Sequence, residues 1–381
     1  MPPLFELLHA SPDSKARTGR LRTAHGNIAT PVFMPVGTAG AVKAMSPRAL
    51  KETGAGIILG NTYHLYLRPG VDLIARAGGL HRFMGWEGAL LTDSGGFQVW
   101  SLKTLRKITE TGVEFRSHID GSKHLFTPES VMEAQRKIGA DIIMAFDECT
   151  PHPATAEEVE KSLGLTQRWT ERALAWLSEH PPLHGYAQSF FGIVQGGMLK
   201  DARRKAIDHL VPLDLPGYAV GGLSVGEPAE TLYEVADFCT DLLPAGKPRY
   251  VMGVGTPSNL LTLVGRGVDM FDCVLPTRNA RNGTVFTWEG PVHYKAARHA
   301  GELEKPLSAS CGCYACVNFS RAYLRHLFMA GEILALELAT HHSLYFYAEL
   351  MARCRKEIEA GGFEKWSQDL LNLWNIPSEP T

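Results

Sequence analysis

The sequence predicts an α/β fold, a (β/α)8 TIM barrel with a zinc-binding subdomain inserted near the C-terminus. Two observations carry that prediction. Eight short apolar runs, punctuated by glycine or polar residues, alternate with amphipathic stretches of helical length, and three cysteines crowd into six residues late in the chain. The chain has 381 residues, 45% of them hydrophobic and 20% charged, so it has the material for one large core.

The runs read as strands in the order Val32 to Val36, Gly56 to Asn61, Ala89 to Asp93, Asp141 to Asp147, Phe191 to Gln195, Tyr218 to Gly222, Tyr250 to Val254 and Met270 to Leu275. Between several of them lie segments of helical period, such as Pro128 to Ile138 and Ala156 to Leu177. Strand and helix in alternation imply βαβ units and a parallel sheet, and eight such units close a barrel. An open doubly wound sheet is the competing architecture. Eight strands without a Gly-x-Gly-x-x-Gly opening favour closure. Residues 1–283 are expected to form the main barrel, 284–344 an insertion holding the cysteines, and 345–381 a helical part that completes the barrel.

Formal net charge is −2, so nothing global advertises a polyanionic partner. From Leu261 to Ala330, however, eight Lys and Arg face five Asp and Glu, a local excess of positive charge. No run of 18 apolar residues exists and the first ten residues do not read as a signal peptide, so a cytoplasmic protein without a membrane partner is expected. Seven cysteines suit metal ligation in a reducing compartment better than a disulfide framework.

Cys311, Cys313 and Cys316 place three thiolates on a tight turn, and a tetrahedral site needs one more ligand. His326, His341 and His342 are candidates, with His299 and His293 further back. A closed four-ligand zinc site of this kind holds structure rather than performing chemistry.

Polar residues gather at the strand ends that build the catalytic face of a barrel: Asn61, Asp93, Asp147, Gln195 and Asp272. Asp93 follows an apolar strand and precedes two glycines, while Asp272 lies between apolar groups. Two such carboxylates over one pocket are equipment for chemistry at an anomeric carbon, one as nucleophile and one as acid/base. Asp147 as acceptor and Gln195 as amide donor suit the edge of a purine, with backbone N–H groups from Gly221 and Gly222 nearby. Phe97 and Met252 are placed to sandwich a flat ring. Arg278 and Arg281, in a segment directly after the Asp272 strand, would hold phosphates or flanking bases.

Over nearly its whole length the chain resembles the bacterial tRNA-guanine transglycosylases, or queuine tRNA-ribosyltransferases. The resemblance rests on Asn61-Thr-Tyr-His-Leu, Asp93-Ser-Gly-Gly-Phe-Gln, Ala145-Phe-Asp-Glu-Cys, Gly192-Ile-Val-Gln-Gly, Ala219-Val-Gly-Gly-Leu, Met252-Gly-Val-Gly, Phe271-Asp-Cys-Val-Leu-Pro-Thr-Arg and the cysteine cluster, in that order. It implies exchange of guanine-34 in GUN anticodons, those of the Asp, Asn, His and Tyr tRNAs, for a 7-deazaguanine by double displacement. Under that resemblance Asp272 is the nucleophile and Asp93 the general acid/base. Asp147, Gln195, Gly222 and Leu223 read the base, Phe97 and Met252 stack on it, and Arg278 and Arg281 help recognise the anticodon loop. It further implies one zinc ion per subunit on Cys311, Cys313, Cys316 and His342, a homodimer, and, from Cys149 and Val225, preQ1 as the incoming base. A non-catalytic tRNA-binding relative is the rival reading. The presence of both Asp93 and Asp272 argues against it.

Overall fold

In a computed structural model the described residues are 4–96, 98 and 106–375, and within them eight parallel strands form one sheet. They are β1 (Val32–Met34), β2 (Ile57–Gly60), β3 (Ala89–Thr92), β4 (Ile142–Met144), β5 (Ser189–Val194), β6 (Gly217–Val220), β7 (Arg249–Val251) and β8 (Met270–Asp272). Each predicted run overlaps one of them, and three of the strands, β5, β6 and β7, begin one or two residues earlier than expected. Their neighbour order is β1-β8-β7-β6-β5-β4-β3-β2. The ring closes where Leu59 N donates to Pro35 O at 2.9 Å and Gly37 N to Leu59 O at 2.7 Å. Strands buried on both faces carry unbroken apolar side chains: Ile142, Ile143 and Met144, for example, are fully buried.

The helices start where their caps say they should. Pro128–Ile138 opens on a capping box between Thr127 and Ser130 and stops at Gly139, which has φ +75°. Ala156–Glu179 opens on a second box, Thr155 with Glu158. One segment departs from expectation. Met270 to Leu275 is not strand throughout; the strand ends at Asp272 and a helix, Leu275–Arg281, begins with Pro276 in its first turn. Proline is preorganised for that position, so Arg278 and Arg281 lie on a helix and not on a loop.

Antiparallel additions frame the barrel. Strands Phe5–Ala10, Arg17–Thr23 and Gly26–Thr30 form a sheet at the N-terminal end of the barrel. There Arg17 Nη2 meets Asp269 Oδ2 at 2.5 Å, both almost fully buried, just before β8. The hairpin turn is stapled as well: His25 Nδ1 donates to Asp141 Oδ1 at 2.8 Å and His81 Nε2 to Asp141 Oδ2 at 3.2 Å. These two imidazoles stack at 3.5 Å between centroids, so one ion cannot lie in both ring planes, and the trio is a hydrogen-bonded clamp and not a metal centre. Arg106–Ile108, Val113–Arg116 and Lys123–Phe126 form another three-stranded sheet between β3 and β4 in the chain.

After β8 the chain builds a hairpin, Val285–Thr287 with Gly290–Val292, and then the cysteine cluster over a small core of its own that includes Tyr294, Leu307, Leu324 and Leu338. Helix Ile333–Glu359 runs from this small core into the large one, where Phe346, Tyr347 and Leu350 are buried. Among the described residues no helix is long and apolar enough to cross a membrane.

Candidate active site

The C-terminal ends of the strands surround a cavity of about 550 Å³, within the range of small-molecule sites. Asp93, Asp147, Gln195, Gly222, Leu223, Met252, Asp272, Arg278 and Arg281 all line it, as do Cys149 and Val225. Phe97 lies outside the described residues.

Asp93 follows β3 and is 9% exposed. Its Oδ2 accepts from Asn61 Nδ2 at 2.5 Å and Gln98 Nε2 at 2.9 Å; its Oδ1 accepts from the backbone N–H groups of Thr62 at 2.9 Å and Gly95 at 3.2 Å. Burial pushes the carboxyl up to about 6 against the pull of these donors, and the nearby charge of Asp272 adds to the rise. Four donors saturate the carboxylate, so a proton enters only as one amide gives way.

Asp272 is held differently. Its Oδ1 accepts from Tyr250 Oη at 2.5 Å and from Gly253 N at 2.8 Å, and no described residue donates to its Oδ2. Register explains this: Tyr250 pairs with Met270 across β7 and β8, which brings the turn after β7 beside Asp272. Burial raises the Asp272 carboxyl above the usual range while the phenol and the amide pull it down. The result is a carboxylate in the cavity wall with one oxygen pinned and the other without a donor among the described residues, an arrangement compatible with a nucleophile.

Asp147 and Gln195 stand side by side on neighbouring strand ends. Gln195 Nε2 donates to Asp147 Oδ2 at 2.7 Å, and Ser94 Oγ reaches Asp147 Oδ1 at 3.4 Å. Burial pushes the Asp147 carboxyl up to about 6. Gly96 allows the approach, because a Cβ there would sit 2.8 Å from Asp147 O and 2.9 Å from its Oδ1. The two glycines expected to offer N–H groups differ: Gly221 N donates to Val194 O at 3.1 Å and is already used in the sheet. Gly222 turns away from the ladder with φ +66°, and a Cβ there would meet Gln195 Oε1 at 2.5 Å.

Arg278 is exposed and Arg281 half-buried on the rim helix; burial and the like charge of Arg278 lower the Arg281 guanidinium. Sequence reasoning did not find Tyr250, Gly253 and Gln98 as partners of the aspartates. It also missed Glu227, whose carboxylate accepts from the backbone N–H groups of Ser224 and Val225, the latter at 2.9 Å, and so shapes that wall of the cavity.

Away from the cavity, His342 Nδ1 faces Cys311, Cys313 and Cys316 Sγ at 3.6, 3.5 and 3.3 Å. A tetrahedral zinc ion with bonds of about 2.3 Å to sulfur and about 2.0 Å to nitrogen sets N···S edges of roughly 3.5 Å. His342 Nε2 donates to Phe286 O at 3.0 Å, which leaves the Nδ1 lone pair for a metal. The four residues fit a metal ion. His341, its neighbour, is not among them.

A family model described as queuine tRNA-ribosyltransferase matches residues 13–375. A protein named queuine tRNA-ribosyltransferase from Caldanaerobacter subterraneus subsp. tengcongensis is 58% identical over 370 residues, 97% of each chain. One of the same name from Thermoanaerobacter sp. strain X514 is 57% identical over 375 residues, 98% of each. Another, from Solidesulfovibrio magneticus, is 54% identical over 362 residues, 95% of this chain and 96% of its own.

Proposed function

The chain belongs to the queuine tRNA-ribosyltransferase family, the enzymes of tRNA-guanine transglycosylation in queuosine synthesis, and on that premise we propose that it exchanges guanine-34 of GUN anticodons for preQ1 through a covalent Asp272–ribose intermediate. The observation that carries this reading is the pair of unlike carboxylates in one cavity: Asp272 with one oxygen pinned and Asp93 poised near 6.

In the first displacement Asp272 Oδ2 attacks ribose C1′, the glycosidic C–N bond breaks, and guanine leaves with a proton from Asp93. In the second, Asp93 takes the proton from the incoming base, whose nitrogen displaces the aspartate and restores the glycosidic bond. The RNA backbone is untouched throughout. Tyr250 Oη and Gly253 N share the charge left on Asp272 while the other oxygen reacts. Asp147, Gln195, Gly222 and Leu223 read the base edge, Met252 and Phe97 stack on it, and Arg278 with Arg281 takes anticodon-loop phosphates. Cys149 and Val225, which line the cavity, would face the aminomethyl group of preQ1.

A zinc ion on Cys311, Cys313, Cys316 and His342 supplies structure, since four protein ligands leave no open position for chemistry. Exposed apolar side chains around it, Leu303, Tyr314, Val317, Met329 and Ile333, support a homodimer that uses this surface. Seven unpaired cysteines suit a cytoplasmic setting.

The test is denaturing gel electrophoresis of the enzyme trapped on unmodified GUN-anticodon tRNA. The parent forms a protein–RNA adduct, and Asp272→Asn forms none while still binding tRNA. An adduct that persists in Asp272→Asn places the nucleophile elsewhere.

A further inference from the structure

Helix Lys200–Leu210 follows β5 and places one guanidinium beneath the base-reading wall. Arg203 is completely buried, and among the described residues no carboxylate lies within ion-pair distance of it; the Glu227 charge acts on it only from further away. Its Nη1 donates to Val194 O at 2.6 Å and its Nε to Gly197 O at 2.9 Å, carbonyls one residue before and two residues after Gln195. Burying an unpaired cation costs several kcal/mol, which packing alone does not require of a helix residue. The remaining nitrogen, Nη2, has no hydrogen-bond partner among the described residues, and neither has Gln195 Oε1. Both flank the same point, lying 3.6 and 2.5 Å from where a Gly222 side chain would begin.

We infer that Arg203 is a positioning residue that sets which way the Gln195 amide faces, and thereby makes the cavity select a purine with a carbonyl at C6. The inference rests on the proposed base-reading role of Gln195. An amide offers a donor at one end and an acceptor at the other, and rotation by half a turn exchanges them. Here the two ends lie between opposite charges. The Asp147 carboxylate holds the NH₂ end at 2.7 Å, and the Arg203 cation lies on the side of Oε1. With the amide so held, its second N–H remains for a C6 carbonyl acceptor. Turned over, it would present an acceptor and welcome a C6 amino group. A site built around a donor rejects the ligand that lacks the matching acceptor far more strongly than shape alone would.

The test compares guanine with 2,6-diaminopurine, the purine carrying an amino group at C6, as inhibitor and as substrate. Arg203→Gln keeps a side-chain donor for the flanking carbonyls but removes the charge; Arg203→Lys keeps the charge. In Arg203→Gln the preference for guanine over 2,6-diaminopurine falls about tenfold or more, KM for guanine rises by a similar factor, and kcat changes less. Arg203→Lys restores most of the preference. A purely structural role would lower the unfolding temperature and the active fraction without moving the ratio between the two bases. An Arg203→Gln enzyme with the parent ratio overturns the inference, as does a ratio lost equally in Arg203→Lys. If the parent itself shows no guanine exchange, the base-reading assignment fails instead.

Discussion

At the scale of single residues the site works by holding charge where water would not. Asp93 is pushed to about 6 from an ordinary value of 3.8, so it binds its proton more tightly in the fold than in the unfolded chain. A group raised in this way contributes stability that is complete below about pH 4 and lost as pH rises through about 6. Asp93→Asn carries no such loss. Relative to the parent, that variant should gain stability between pH 4 and 6, up to about 3 kcal/mol less the hydrogen bonds an amide cannot accept, while losing base exchange. Urea unfolding of both proteins from pH 4 to 8 measures the gap, and a flat gap would mean that the carboxyl titrates normally. Both aspartates were legible in the sequence because a carboxylate closing an apolar run is conspicuous. Their partners were not. Tyr250 and Gly253 meet Asp272 through strand register, and Gln98 meets Asp93 through a turn, so neither relation has a signature in local spacing.

At the scale of elements the eight barrel strands were readable because burial on both faces makes each a short continuous apolar run. The antiparallel additions were not. Arg106–Ile108 and Val113–Arg116 are three and four residues long, and only the second alternates apolar with polar side chains, too brief for periodicity to stand out from a loop. The rim helix Leu275–Arg281 was missed for a related reason: two turns with no side-chain N-cap leave Pro276 as the main clue. Its placement has a measurable effect. A helix fixes Arg278 at the cavity mouth, where a loop would let it wander, so a phosphate contact there releases counterions at a defined position. Arg278→Ala should weaken tRNA binding about equally across GUN anticodons and reduce the slope of log affinity against log salt by roughly 0.7 to 0.9. Filter binding over a salt series checks this; an unchanged slope would remove Arg278 from the RNA surface.

For the molecule as a whole, the two ends of the barrel carry separate duties. The catalytic end collects strained glycines and crowded carboxylates, while the opposite end is locked by the buried Arg17–Asp269 pair and the clamp of His25, His81 and Asp141. Arg17→Met leaves Asp269 buried without its cation and should cost about 3 to 5 kcal/mol. Below the unfolding transition, kcat should stay within about twofold of the parent, on the rule that this end of a barrel serves stability. Chemical denaturation together with steady-state exchange separates the two quantities, and a large fall in kcat with intact stability would contradict the division. One element ignores such division of labour. Helix Ile333–Glu359 contributes His342 to the cluster with Cys311, Cys313 and Cys316 and, a little further along, Tyr347, whose hydroxyl donates to Gly255 O at 2.5 Å near the turn after β7. The cysteine-bearing segment is therefore not a cassette to be lifted out and traded between relatives. A chimera joined anywhere from 333 to 359 would splice through a single rod, and the graft would succeed only if both ends came from the same parent.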